Sequence, residues 1–212
     1  FSKQSDFDKM DDFFIRYLAK GGVVIDIGAN IGWYSLLSSV QVGPSGSVYS
    51  FEAHPKTFEY LNCNVAINKG LKIRAFNSAL GDDVGTVRFS DASKDDMNRV
   101  AQNGEIEVAI ARLDDFDIIE STIDLLKIDV EGFELFVLQG GIQVLNKTRT
   151  IIFEAWDEHT QKYGYTFIDI YNFLKRLGFT LLVPNESGYK EIDGQYCATV
   201  IADIVAVRDA GA

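Results

Sequence analysis

Five apolar runs of this chain end in polar residues able to handle charge or protons. Val23–Ile27 carries Asp26 and runs into a turn with Gly28 and Gly32. Ser47–Phe51 ends at Glu52, and Lys72–Ser78 ends at Asn77 and Ser78. Ile123–Ile128 is followed by Asp129 and Glu131, and Thr150–Phe153 by Glu154. Ligands of open α/β sheets sit outside the carboxyl ends of the strands, so these residues should share one rim. Acids after strands also cap helices or complement the helix dipole. That accounts for Glu134 and in part for Asp26. It does not suit Glu52, because Ala53, His54 and Pro55 separate it from the next helix.

The first turn narrows the ligand. A dinucleotide turn has a second glycine that lets the backbone approach a pyrophosphate. Here Ala29 and Asn30 follow Gly28, and no Gly-Lys-Ser/Thr phosphate loop occurs. What remains is Asp26-x-Gly28-x-x-x-Gly32, with glycines for a tight turn and close helix packing. Asp26, Glu52 and Asp129 make the rim negative, which disfavours phosphates and favours a cation bearing hydroxyls. Glu52 is placed to take both hydroxyls of a ribose and would repel a 2′-phosphate.

These residues need a scaffold, and strand-like and helix-like segments alternate along the chain. Helices are expected over Ile31–Val40, Pro55–Asn68, Phe133–Leu145 and Phe167–Leu177. Thr86–Ser90 and Glu105–Arg112 alternate as a hairpin would, and Phe179–Val183 and Thr199–Val207 read as late strands. Such alternation implies parallel crossovers in one open α/β sheet. Residues 1–20 read as a lead-in helix and 21–207 as the core of a single domain spanning 1–212.

Composition sets the remaining bounds. The chain has 212 residues, 47% of them hydrophobic, which suits one domain with a sizeable core. A formal charge of -11, without a Lys/Arg run, argues against nucleic acid and anionic membranes as partners. No apolar run approaches the roughly 20 residues that span a bilayer. Two distant cysteines, Cys63 and Cys197, give no disulfide framework or zinc spacing and fit a reducing, cytoplasmic setting. The chain begins at Phe1, as an excerpt or a processed chain would.

The turn and the acid after the second strand resemble class I S-adenosylmethionine-dependent methyltransferases. In order, "VVIDIGANIGWYSL", "FEAHPKTFEYLNCNVAIN", "ALGDDVGTVRFS", "ARLDDF", "DLLKIDVEGFELFVLQGG" and "IIFEAW" resemble the blocks of the FkbM family. The likeness covers roughly Val23 to Gly178. Trp33-Tyr34 departs from it, with two aromatics where one is expected. The resemblance implies a Rossmann-like, seven-stranded, mostly parallel sheet with helices on both faces and the last strand antiparallel. It implies S-adenosylmethionine as cofactor. Gly28, Ala29 and Asn30 would lie under its methionine part, with Asp26 and Gly32 shaping the turn. Glu52 and Ala53 would hold the ribose, Ser78 and Ala79 would border the adenine, and Asp129 would face the sulfonium or the amino group.

Methyl transfer is an in-line displacement, so alignment is the protein's main task. A hydroxyl acceptor must also lose a proton. The candidate bases are Glu131, Glu154 and His159. His54 is expected to position its turn, and Trp33 and Trp156 to pack or to stack an acceptor. Asp129 and Glu154 stand at strand ends where some O-methyltransferases hold a divalent ion. Glu154-Ala155 replaces the Asp-Asn pair such a site needs, so a metal-free mechanism is expected. The polar stretches Asp91–Gly104 and Pro184–Gln195 are candidate lids. The expected activity is O-methylation of a small-molecule or glycan hydroxyl. N- or C-methylation, or a non-catalytic binding protein of the same fold, are the alternatives. A homo-oligomer is compatible with all of these.

Overall fold

A computed structural model describes residues 18–90, 99–100, 104–185 and 188–208. The lead-in helix and most of the first candidate lid lie outside them.

Eleven strands are present among the described residues. The main sheet contains β1 (Val23–Ile27), β2 (Ser47–Glu52), β3 (Ile73–Asn77), β7 (Ile123–Ile128), β8 (Thr148–Ala155), β9 (Thr180–Asn185), β10 (Gly188–Glu191) and β11 (Ala202–Val207). Their spatial order is β10-β9-β11-β8-β7-β1-β2-β3. The pairs β3–β2–β1–β7–β8 are all parallel, and β11 is antiparallel to both β8 and β9. The seven expected strands are therefore joined by an eighth. β10 folds back on β9 as an edge hairpin, within the stretch expected to be a second lid.

A separate three-stranded sheet, β4 (Ala79–Leu80), β6 (Ile106–Ala111) and β5 (Gly85–Phe89), contains the expected hairpin. β4 continues directly from β3 through Ser78, so the small sheet hangs over the carboxyl edge of the large one.

Period-two patterning puts helices on both faces. Val24, Val48, Leu125, Ile152 and Val205 pack with Val42 of α1 (Trp33–Val42). Ile25, Tyr49, Leu126, Ile151 and Ile204 point the other way. They meet α3 (Glu134–Gln139), α4 (Ile142–Asn146) and α6 (Phe167–Arg176) through Val137, Leu145 and Ile170. Central β7 buries Ile123, Leu125, Leu126 and Ile128 completely. At roughly 1.5–3 kcal/mol per buried side chain, β7 is a rigid platform for whatever its carboxyl end carries. α2 (Pro55–Ile67) follows β2, with Leu61 fully buried against the start of α1.

The helix expected over Phe133–Leu145 is in fact two. A Cβ on Gly140 would lie 1.9 Å from the Gly81 carbonyl oxygen, so the break lets two backbones touch. α6 matches its expectation closely. Thr166 and Asp169 form a reciprocal cap at its start, and Gly178 follows its end at φ +84°.

Candidate active site

Strand ends β1, β2, β3 and β7 open onto one cleft of about 780 Å³, solvent at its mouth included. That is room for a nucleoside-sized ligand. Gly28, Asn30, Glu52 and Ala53 line one side. Ser78, Ala79, Asp129 and Glu131 line the rest, beneath Phe89 and Val100.

On the β1 side, the Gly28 and Ala29 N–H groups both donate to the Phe51 carbonyl, at 3.0 and 2.9 Å. Gly28 has φ +73°, and a Cβ there would sit 1.8 Å from the Asp129 carbonyl oxygen. Only glycine lets β1 and β7 close at this point. Asn30 is left-handed at φ +50° and presents its N–H to Glu52 Oε2 at 2.9 Å. At Gly32 a Cβ would reach Leu61 Cδ1 at 2.6 Å, so this glycine packs α1 against α2.

Glu52 is 8% exposed. Its Oε1 accepts from the His54 N–H at 2.8 Å, and Oε2 from Asn30. Burial raises its pKa, against the lowering pull of these two amides. A carboxylate has about four acceptor sites, so two remain for a ligand's hydroxyls. His54 is buried, and its Nδ1 caps the start of α2. Ser78 Oγ donates to the Ala79 carbonyl at 2.8 Å, fixing the bend between the two sheets.

Asp26, Ala29, Gly32, Glu154 and His159 do not line the cleft, though the last two converge on Glu131, which does. Asp26 is 1% exposed, accepts from Ser35 Oγ at 2.6 Å and lies 3.5 Å from Lys127 Nζ. It underpins the turn rather than facing the cavity. Lys127 went unread in the sequence because "LLKID" reads as a strand with one outward polar residue. Its ammonium is instead buried, 3.3 Å from Asp129 Oδ2 and 5.3 Å from the Tyr34 ring centre. Burial alone would lower its pKa, but Asp129 and Asp26 outweigh that and hold it above the ordinary lysine value.

On the β7–β8 side, Glu131, Glu154 and His159 converge, their ligand-capable atoms within 4.8 Å of one another. Glu131 has φ +57°, a conformation costly for a side-chain-bearing residue. The "DVEG" turn is held by Glu134, which accepts the Gly132 N–H at 3.0 Å. Gly132 is required where it stands, because a Cβ would meet the His159 backbone at 2.9 Å. That close approach brings α5 (Asp157–Thr160) to the rim and puts His159 Nδ1 3.1 Å from Glu131 Oε2. The two are in ion-pair range without the alignment of a hydrogen bond. Burial, then Lys162 and Arg99, hold the imidazole below its ordinary pKa, so the neutral form prevails at pH 7. Trp156 lies against it, ring centres 4.2 Å apart.

Burial pushes Glu154 up to about 8, helped by Asp129, Glu131, Glu134 and Asp203. Burial also pushes Glu134 up to about 7, against the lowering effect of the Gly132 amide. Glu131, Glu154 and His159 are also donors that a divalent cation accepts. Among the described residues no helix is long and apolar enough to cross a membrane.

A parallel sheet with a glycine turn after its first strand, an acid after its second and a rim of acids is the architecture of S-adenosylmethionine-dependent methyltransferases. The family model of the methyltransferase FkbM domain matches residues 26–181, and the chain belongs to that family. The chain is 28% identical to the 31-O-demethyl-FK506 methyltransferase FkbM of Streptomyces tacrolimicus, covering 95% of this chain and 87% of that protein. It is 29% identical to the 2-O-methyltransferase NoeI of Sinorhizobium fredii over 64% of each. It shares its fold with a putative methyltransferase of Streptococcus mutans solved with S-adenosylhomocysteine. The TM-score there is 0.56 at 10% identity, over 95% of this chain and 96% of the other.

Proposed function

We propose that this protein methylates a hydroxyl of a small molecule or sugar, and that His159, oriented by Glu131, removes the proton. The supporting observation is the convergence of Glu131, Glu154 and His159 beside the cleft that Glu52 and Asp129 line. The named chemistry of the two relatives, O-methylation in both, points the same way.

The cleft suits the cofactor. Glu52 keeps acceptor capacity for two hydroxyls, the Gly28–Asn30 turn offers close backbone approach, and the acids suit a positive ligand. S-adenosylmethionine, when bound, supplies an electrophilic methyl carbon on a positive sulfur. Glu52, with Asn30 and His54 behind it, would hold the ribose, and Ser78 and Ala79 would border the base. His159 Nε2 would take the proton of the acceptor hydroxyl and leave the oxygen nucleophilic. The imidazolium so made is stabilised by the Glu131 carboxylate at Nδ1. Glu154, protonated below about pH 8, would donate a hydrogen bond that orients the acceptor.

The same three side chains favour a second reading, a bound divalent cation. A labelled-methyl transfer screen over sugar, polyketide and phenolic alcohols, with and without EDTA, tests both. The expected result is transfer to a hydroxyl, unchanged by EDTA and reduced ~10²-fold or more in His159→Ala. Activity lost to EDTA and restored by a divalent cation would replace the proton-transfer reading with the metal one. Absence of binding by S-adenosylmethionine or S-adenosylhomocysteine in calorimetry would overturn the enzyme reading altogether.

A further inference from the structure

Lys127 is the least expected residue of the site. It sits between Leu126 and Ile128 on the central strand and is 5% exposed. Burying an ammonium is costly unless it is paired and its hydrogens are used. Here it bridges two acids from adjacent strands. In the parallel register Asp26 lies directly across from Lys127, and Asp129 follows two residues on, on the same face.

The two acids differ. Asp26 is sealed, its Oδ2 taken by Ser35 Oγ, which in turn accepts from Ser50 Oγ at 2.7 Å. Asp129 stands at the cleft, its side chain 44% exposed. A half-exposed carboxylate at a strand end is free to rotate unless something holds it. Lys127 Nζ donates to Oδ2 at 3.3 Å, leaving the other oxygen to meet a ligand. The Tyr34 ring beside the ammonium closes it off from the α1 side.

We propose that Lys127 is a positioning residue for the cofactor: it fixes Asp129 at the lip of the cleft and is itself fixed by Asp26. Asp26 of the glycine turn then acts on the ligand through Lys127 and not by contact. The relay runs from Ser50 and Ser35 through Asp26 and Lys127 to Asp129. This inference rests on the reading of the cleft as the S-adenosylmethionine site.

A double-mutant cycle separates positioning from plain charge neutralisation inside the sheet. Calorimetry with S-adenosylhomocysteine is run on wild type, Lys127→Met, Asp129→Asn and the double variant. Binding by wild type tests the cofactor reading, and its absence counts against that reading alone. Given binding, each single variant is expected to lose about 10-fold in affinity, the size of one charge-assisted contact. The double variant should be no weaker than the weaker single one, because both remove the same contact. A Lys127→Met loss that persists in full in the Asp129→Asn background overturns the proposal, as does wild-type affinity in Lys127→Met. If Lys127→Met fails to fold, Asp26→Asn/Lys127→Met removes the stranded acid along with the lysine. That pair should fold and still bind about 10-fold more weakly, and wild-type affinity in it would refute the relay.

Discussion

On the β1–β2 side of the rim, Glu52 has both oxygens on backbone amides, and the Gly28 and Ala29 amides share one carbonyl. On the β7–β8 side, Glu131 and Glu154 converge on one neutral imidazole, and Glu134 adds its charge to the field at Glu154. Two of those acids are pushed to about 7 and about 8. The first side is a satisfied, rigid seat that any ligand of the right shape can use. The second holds like charges close and keeps a left-handed glutamate. Strain and electrostatic conflict of that kind persist only where the surrounding structure over-determines them, and they mark sites of chemistry. On the proposed function, cofactor binding falls to the first side and proton handling to the second, and each of the following variants strikes one of them.

The largest effect is expected at Gly28. Gly28→Ala puts a methyl group 1.8 Å from the Asp129 carbonyl at φ +73°, with backbone on both sides and nothing able to give way. Overpacking plus left-handed strain should cost about 3 kcal/mol or more, read as a fall in Tm, with cofactor binding abolished. A variant with wild-type Tm would show that the two strand ends are not in the close contact that excludes a Cβ at Gly28.

Glu52→Ala comes next. It should weaken S-adenosylhomocysteine binding by about 10- to 100-fold, the value of losing charge-assisted bonds. It also leaves the Asn30 and His54 amides unpaired, so Tm should fall too. A Kd unchanged by this variant would move the ribose site elsewhere.

Glu131→Gly probes the other side and should separate two quantities that usually fall together. Turnover should drop about 10²-fold, because His159 loses its partner. Cofactor Kd should stay within about twofold, and Tm should hold or rise, since glycine relieves a strain of about 1 kcal/mol. Loss of cofactor binding here would erase the division between the two sides.

How much of this was legible beforehand differs in the same way. The strand positions along the chain, the turn and the placing of Glu52, Ser78 and Asp129 at strand ends follow from apolar runs and the residues ending them, because local pattern fixes where a parallel strand stops; the spatial order of the strands does not. Asp26 was seen but misplaced, since a sequence does not say which acids face a cavity and which face a helix. Lys127 was invisible for the same reason: its partners come from a neighbouring strand and from a residue beyond its own strand's end. The break at Gly140–Gly141 depended on contact with Gly81, a feature of tertiary packing alone. β10, which folds back on the expected strand β9, lies in a stretch without clear alternation that reads as a polar loop. His159 is a candidate base by residue type alone, and its meeting with Glu131 depends on Gly132, which lets α5 approach.

The smallest expected effect concerns pH. Glu134 and Glu154 have folded-state pKa values raised by burial, to about 7 and about 8, above the ordinary glutamate value of 4.5. Between 4.5 and those values the folded chain holds more protons at these groups than the unfolded chain does. Their contribution to stability is therefore fully present below about pH 4.5 and is lost as pH rises, to about 7 for Glu134 and to about 8 for Glu154. Tm should then carry a downward slope with pH across this window, on top of whatever the other groups impose. Glu134→Gln keeps the oxygen that accepts the Gly132 N–H and removes the titration, so the slope below pH 7 should flatten. Glu154→Gln should flatten it up to pH 8 and reduce turnover only modestly, because an amide still donates to an acceptor oxygen. A parallel Glu52→Gln variant, on the satisfied side of the rim, should change the slope least. A slope that survives in both Glu134→Gln and Glu154→Gln would mean that the crowded acids are relieved by something other than their own protons, and the cation reading of that side would gain accordingly.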